Sequence, residues 1–285
     1  MKGKIICINK YIHRVLLENN TIIDTRTRGK LRNQKVSPVV GDNVIVDINN
    51  KTIEKVEPRK NYLERPLIAN IDKLLIVMST SIPVFSDYLI DKFLLIANYN
   101  NIEPIIIITK TDMITIKEKA EVRKYMNYYR KLGIKVYINT SIAKIKKEFK
   151  NSTVALCGQT GSGKSSLLNK VDASLKLKTG EVSLSLGRGK HTTRLVELLE
   201  VNDGLIADTP GFSSLTLDDI DESELKEYFI EFDKHDDCRF GSRCIHENEP
   251  SCAVKEAVEN GEISKKRYES YIQLLNEIRS GKRRY

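Results

Sequence analysis

Residues 158–165 read Gly158-Gln159-Thr160-Gly161-Ser162-Gly163-Lys164-Ser165. They follow an apolar run, Val154 to Cys157, and lead into Ser166-Leu167-Leu168, a helix start. This is the pattern G-x-x-x-x-G-K-S in its required strand-to-helix context. Glycines allow a tight turn in which successive N–H groups converge on phosphate oxygens. The helix N-terminus adds partial positive charge, and Lys164 reaches the outer phosphates. Ser165 supplies a hydroxyl to Mg²⁺. The competing reading is a glycine-rich turn with no ligand, and the strand-to-helix context argues against it.

Two further segments bear on which nucleotide is meant. Asp208-Thr209-Pro210-Gly211 follows Leu205 to Ala207, so a carboxylate stands at a strand end to hold Mg²⁺ through water, with the Gly211 N–H facing a γ-phosphate. Thr109-Lys110-Thr111-Asp112 follows Ile105 to Ile108. The Asp112 carboxylate can accept from both N1–H and the 2-amino group of guanine, a donor pair that adenine lacks. Lys110 can pack along the base plane. Either tetrapeptide alone recurs by chance, whereas both beside a phosphate loop point to a guanine nucleotide.

The surrounding pattern is that of an α/β domain. Strands are predicted at Lys73 to Met78, Pro104 to Ile108, Val136 to Ile138, Val154 to Cys157, Leu195 to Val201 and Leu205 to Ala207, with helices near Asp87 to Tyr99 and Lys117 to Leu132. Near-continuous apolar strands alternating with helices mark a buried parallel sheet. Residues 1 to about 62 instead read as five short strands: Lys4 to Ile8, His13 to Leu17, Thr21 to Thr27, Asn43 to Ile48 and Thr52 to Val56. Five such strands fit a small OB-type barrel, and sandwiches or SH3-like barrels share the pattern. Beyond about residue 214 the chain is acidic and helical, then cysteine-rich, then helical to a basic tail. The expected division is 1–62, 63–213 and 214–285.

The nucleotide motifs resemble those of Ras-like GTPases, but Lys110 and Asp112 precede Gly158, whereas ordinary members begin with the phosphate loop. The domain looks circularly permuted, a rearrangement tolerated where chain ends lie close together. With that order, the chain resembles the ribosome small subunit-dependent GTPases called RsgA, YjeQ or YloQ. The resemblance rests on Gly41-Asp42-Asn43-Val44, on Arg59-Lys60-Asn61-Tyr62-Leu63-Glu64-Arg65-Pro66, on the permuted motifs, on Gly187-Arg188-Gly189-Lys190-His191-Thr192-Thr193-Arg194 and on a cysteine cluster.

The resemblance implies an α/β fold: a circularly permuted Ras-like P-loop GTPase domain, flanked by an N-terminal OB-like β-barrel and a C-terminal zinc-binding helical domain. It implies a cytoplasmic monomer acting late in maturation of the small ribosomal subunit, binding its rRNA and hydrolysing GTP to GDP with stimulation by the subunit. The loop at His191 is then the first switch, where Thr192 or Thr193 closes over Mg²⁺ and the γ-phosphate. Asn139-Thr140-Ser141 is the second base-contacting loop, and little chain separates Ser141 from Gly158, so the intervening helix is expected to be short. Thr109 stands where the family usually has Asn, which loses one amide contact but keeps Lys110 and Asp112. Phe212 stands where Ras-like enzymes carry the water-orienting glutamine. His191 is the candidate for that role, against a loop histidine that meets a partner.

Cys238, Cys244, His246 and Cys252 form C-x5-C-x-H-x5-C. Three thiolates and an imidazole make a closed, structural zinc set with no open position for chemistry. The first gap is one residue longer than the family's usual spacing. Cys7 and Cys157 lie in strands and read as buried small hydrophobes, while His13 and His235 have no partner pattern.

Charge separates the ends from the middle. Residues 1–66 hold 14 basic and 7 acidic side chains, a net +7; residues 67–264 are net −3; residues 265–285 are net +5. A polyanion touching both ends gains counterion-release affinity there. Arg26, Arg28, Lys30 and Arg32 recur at every second position and would line one strand face unless Gly29 breaks it. No apolar run approaches the roughly 18 residues that span a bilayer, so no membrane partner is expected. Two other classes compete: an RNA-binding assembly factor for which GTP is only a structural ligand, and a P-loop ATPase or small-molecule kinase, which Asp112 opposes.

Overall fold

A computed structural model of the protein describes residues 1–27, 37–64, 66–177, 196–208, 217, 220–235 and 237–282. The N-terminal segment forms strands β1 (Lys2–Asn9), β2 (Ile12–Leu17), β3 (Ile22–Thr27), β4 (Asn43–Asp47) and β5 (Thr52–Val56). Their order is β1-β2-β3-β5-β4, and β4 pairs back with β1 to close the barrel. Period-two alternation puts Ile5, Val15, Leu17, Val44, Val46 and Ile53 inside. Arg26 is exposed on β3 beside buried Thr25, as alternation requires. Arg28, Lys30 and Arg32 lie outside the described residues.

A hairpin of β6 (Tyr62–Glu64) and β7 (Leu67–Ala69) leads into the α/β unit. There, β8 (Lys73–Ser79), β9 (Glu103–Thr109), β10 (Lys135–Ile138), β11 (Thr153–Cys157) and β13 (Gly204–Asp208) run parallel in the order β10-β9-β8-β11-β13, with β12 (Glu197–Val201) antiparallel beside β13. The continuous apolar run of β8 serves two cores. Leu74, Ile76 and Met78 join helices α1 (Asp87–Tyr99) and α2 (Ile116–Lys131), while Leu75 and Val77 join α3 (Ile142–Phe149) and α4 (Lys164–Val171). The short α3 matches the little chain available for it.

Local chemistry sets the helix starts. Ser86 accepts from Leu89 N at the N-cap of α1, and Thr115 and Glu118 form a reciprocal capping box on α2. The C-terminal segment forms short 3₁₀ turns at Leu225–Tyr228 and Phe232–His235, where helix is expected from the sequence, then a turn at Gly241–Arg243 within the cysteine-rich stretch, followed by α5 (Ala253–Glu259) and α6 (Lys265–Lys282). Aromatic and cysteine-rich, this stretch is held by its side chains rather than by helix length. Its core is continuous with the α1 and α2 face: Phe229, Phe232, Tyr271 and Leu274 share a cluster with Phe93 and Leu94.

Strand pairing and a junction of polar side chains tie the barrel to the α/β unit. β1 pairs with β12 through Cys7 and Glu197, making one eleven-stranded sheet. The two N-terminal motifs meet at the junction, where Arg59 Nε and Nη2 donate to Asp42 Oδ1 and Oδ2 at 2.7 and 2.8 Å. Asp42 Oδ2 also accepts from Val39 N, and Asn70 Nδ2 donates to Gly41 O. No described helix is long and apolar enough to cross a membrane.

Candidate nucleotide site and metal centre

The loop after β11 turns through three left-handed glycines, with φ of +131° at Gly158, +82° at Gly161 and +96° at Gly163. A Cβ at Gly158 would lie 2.1 Å from Val77 O, so only glycine fits there. Lys164 opens α4, and its Nζ donates to Gly158 O and Gln159 O at 2.8 Å each. Burial lowers its pKa. The ammonium is thus held at the loop's mouth, with the N-terminus of α4 behind it. Ser165 is half-buried and Ser166 exposed on the first turn, and Thr160 is exposed at the loop's tip. Cys157 and Cys7 are buried, as expected of small hydrophobes in strands.

The second loop arrives from β9, one strand beyond β8. Thr109 is 2% exposed, and its Oγ1 lies 2.6 Å from Ser162 O and 3.2 Å from Met78 O. A residue at the family's asparagine position therefore joins the base-reading segment to the phosphate loop. Lys110 adopts a left-handed φ of 58° and donates from Nζ to Ile82 O, with Thr111 half-buried and Asp112 exposed beyond it. The third loop is anchored alongside: Asn139 N donates to Ile108 O at 2.9 Å, and Ser141 N donates to Ile138 O.

Three buried side-chain atoms in these loops, Asn139 Oδ1, Gln159 Oε1 and Ser162 Oγ, have no hydrogen-bond partner among the described residues. Buried polar atoms are nearly always paired, so three unpaired ones gathered in adjoining loops mark these loops as a candidate ligand site. β13 brings Asp208 to the same edge of the sheet, two strands from β8. The Asp208 side chain and residues His191, Thr192, Thr193, Gly211 and Phe212 lie outside the described structure. Thr80, unremarked in the sequence, turns out to hold the base loop from behind. It follows β8 in a Ser-Thr-Ser stretch that resembles any polar turn.

The cysteine cluster assembles from three separate turns. Cys238, Cys244, His246 and Cys252 are all buried, with their ligand atoms within 4.8 Å of one another. Cys252 Sγ stands 3.9 Å from each other thiol sulfur, and His246 Nδ1 lies 3.3–3.6 Å from the three sulfurs. A tetrahedron with Zn–S of about 2.3 Å and Zn–N of about 2.0 Å has edges of roughly 3.8 and 3.5 Å, so the donor set fits that ion. The first gap contains the Gly241–Arg243 turn, where Gly241 takes a φ of +53°. His13 is a buried barrel residue, and His235 Nε2 lies 3.9 Å from Glu262 Oε2.

The model of the RsgA GTPase family matches residues 56–218, and that of the RsgA N-terminal domain matches residues 2–53. The chain belongs to the RsgA family. Relatives named small ribosomal subunit biogenesis GTPase RsgA include the Pediococcus pentosaceus protein, 44% identical over 99% of this chain and 94% of that one. The Bacillus subtilis protein of that name is 42% identical over 100% of this chain and 99% of its own. Among solved structures, the circularly permuted GTPase YloQ superposes with a TM-score of 0.83 at 37% identity, covering 98% of this chain and 95% of that one. Thermotoga maritima YjeQ gives 0.82 at 34% identity, covering 97% and 98%. The permuted order in this RsgA-family chain is therefore shared by a solved relative.

Proposed function

We propose that this chain is a GTP hydrolase that binds the small ribosomal subunit in the cytoplasm and assists its late maturation. The observation that carries the reading is the contact between Thr109 Oγ1 and Ser162 O, which joins the base loop to the phosphate loop as one pocket. In it Gly158 through Ser166 bind the phosphates, Lys164 neutralises the outer ones, and Asp112 reads guanine. Lys110 and Thr111 flank the base, with Ser141 closing the far side. Mg²⁺, when bound with GTP through Ser165 and Asp208, offsets the phosphate charge. Thr192 or Thr193 closes the first switch, Gly211 meets the γ-phosphate, and His191 orients water or meets a partner.

The three units, 1–62, 63–213 and 214–285, are then a basic barrel, a permuted switch and a metal-stapled domain with a basic tail. Arg26, Arg28, Lys30 and Arg32, with the tail, bind rRNA. One zinc ion in the cysteine cluster is structural, and the chain works as a monomer. A switch that shifts from 1:99 to 99:1 needs about 5.5 kcal/mol of differential binding, so contacts with the particle must favour one nucleotide state. Multiple-turnover GTP hydrolysis, with and without purified small subunits across a salt series, tests this. Stimulation that fades with salt is expected. Equal rates with and without subunits at every salt concentration refute the reading. His191→Ala, measured in both arms, separates the two roles of that histidine, since unchanged stimulated turnover removes it from the mechanism.

A further inference from the structure

The segment that follows β8 lies against the base loop and the phosphate loop, yet carries no motif. Thr80 Oγ1 lies 2.9 Å from Lys110 O and 3.1 Å from Thr109 O, and Thr80 N also donates to Thr109 O at 3.1 Å. Two residues on, Ile82 O accepts from Lys110 Nζ. Pro83 Cδ stands 3.7 Å from where a Cβ on Gly161 would be.

Lys110 is the residue this support acts upon. A non-glycine residue at a φ of 58° occupies a sparsely populated region that persists only where its surroundings over-determine it. Here the Lys110 carbonyl is held from two sides, by the Thr80 hydroxyl and by Met113 N at 3.0 Å, and with it the orientation of the peptide leading to Thr111 and Asp112. A valine has the same shape but no donor. With it, the Lys110 carbonyl keeps only the Met113 N–H, and the Lys110 peptide can relax toward ordinary backbone angles and shift Asp112 from the base edge.

We propose that Thr80 is a positioning residue for guanine selection, which rests on Asp112 being the base reader. It touches no nucleotide in this scheme. Its hydroxyl holds the loop, and the loop holds the carboxylate.

The test compares GTP with ITP, which lacks the 2-amino group and so forfeits one of the two donors offered to Asp112. Dissociation constants for both nucleotides, and kcat at saturating GTP, are measured on the full chain, on Thr80→Val and on Thr80→Ser, each checked by thermal melting. Thr80→Val is expected to weaken GTP more than ITP, because GTP loses two donor contacts and ITP one, so that the GTP/ITP affinity ratio falls about five- to tenfold, the worth of one hydrogen bond. Its kcat at saturation should be unchanged, and Thr80→Ser should restore the parental GTP/ITP ratio. A parental ratio in Thr80→Val overturns the proposal. So does equal weakening of both nucleotides, loss of all binding, or a serine variant that behaves like valine. Asp112→Asn, titrated with GTP and with XTP, examines the underlying reading separately: if it leaves the preference for GTP over XTP intact, the base assignment fails, whatever Thr80 does.

Discussion

Arg267, on the last helix, donates from Nη1 to Asp91 Oδ1 on α1 at 2.5 Å, across 176 residues of sequence. The same guanidinium donates from Nε to Glu231 Oε1 at 2.7 Å and lies over the Phe229 ring, 4.1 Å from its centroid. Tyr129 OH donates to Asp91 Oδ1 as well, and Tyr128 OH to Glu231 Oε1. One arginine, 4% exposed, thus joins the α/β unit to the segment of the cysteine cluster through two buried carboxylates.

Removing that arginine leaves both carboxylates buried without a counter-charge. Breaking a buried pair in this way costs about 3–5 kcal/mol, more than its net contribution, because the desolvated partner stays behind. Arg267→Met should therefore lower the unfolding free energy by about that amount, seen as a lower urea midpoint with little change in slope. Adding Asp91→Asn and Glu231→Gln should recover part of the loss. A triple variant no more stable than Arg267→Met would show that packing against Phe229, not charge, dominates.

The barrel is held by a second charged pair, Arg59 with Asp42, whose carboxylate is fully buried and also caps Val39 N. Hydrogen bonds to charged groups contribute about 1.5–3 kcal/mol. Arg59→Ala should lower stability by that order and raise the rate of proteolytic cleavage between β5 and β8. An unaltered cleavage pattern would mean that the β1–β12 pairing alone fixes the barrel.

A pH effect is expected at Glu148, on α3. Burial raises its pKa, but hydrogen bonds from Lys73 at 2.9 Å, Tyr137 at 2.8 Å and Lys135 at 3.1 Å outweigh this and leave it below 4.5. A depressed folded-state pKa gives stability that is present above the unfolded value and lost as pH falls through the folded one. Stability should thus decline from about pH 5 downward, and Glu148→Gln should flatten that decline while weakening the protein at neutral pH. Parallel curves for parent and variant would assign acid sensitivity to other carboxylates.

Much of this was legible from short-range pattern. The strands of the barrel and of the α/β unit lie within a residue or two of their predicted limits, because period-two alternation and continuous apolar runs survive in one dimension. The glycine turn at Gly158–Gly163 and the gathering of Cys238, Cys244, His246 and Cys252 were legible because tight backbone turns and tetrahedral donor sets dictate residue type at fixed spacing. What escaped was long-range or locally bland. Arg267, Asp91 and Glu231 look like ordinary surface charges until the fold buries them together. Thr80 sits in a polar turn whose task depends on a loop 29 and 30 residues away. The β6–β7 hairpin, with three residues per strand, is too short for alternation to register. The stretch from Leu225 to Arg243 forms 3₁₀ turns rather than helices because its backbone is organised around the cysteine cluster.

That dependence gives the last prediction. His246 packs its ring 5.5 Å from that of Phe232, and its carbonyl accepts from Tyr268 OH at 2.7 Å, while Ile245 O accepts from Tyr271 OH at 2.6 Å. Both tyrosines lie on α6, the helix that carries Arg267, so the metal ligands and the inter-unit pin share one support. Structural zinc contributes an apparent binding free energy of about 10–16 kcal/mol in small sites, far more than these neighbouring hydrogen bonds. The purified chain should hold one zinc ion, and stripping it with a strong chelator should remove amide-exchange protection from residues 220–282 while the barrel strands stay protected. Cys252→Ser should act in the same direction. A metal-free chain that keeps its melting temperature, with α6 still protected, would show that the aromatic core alone holds this segment.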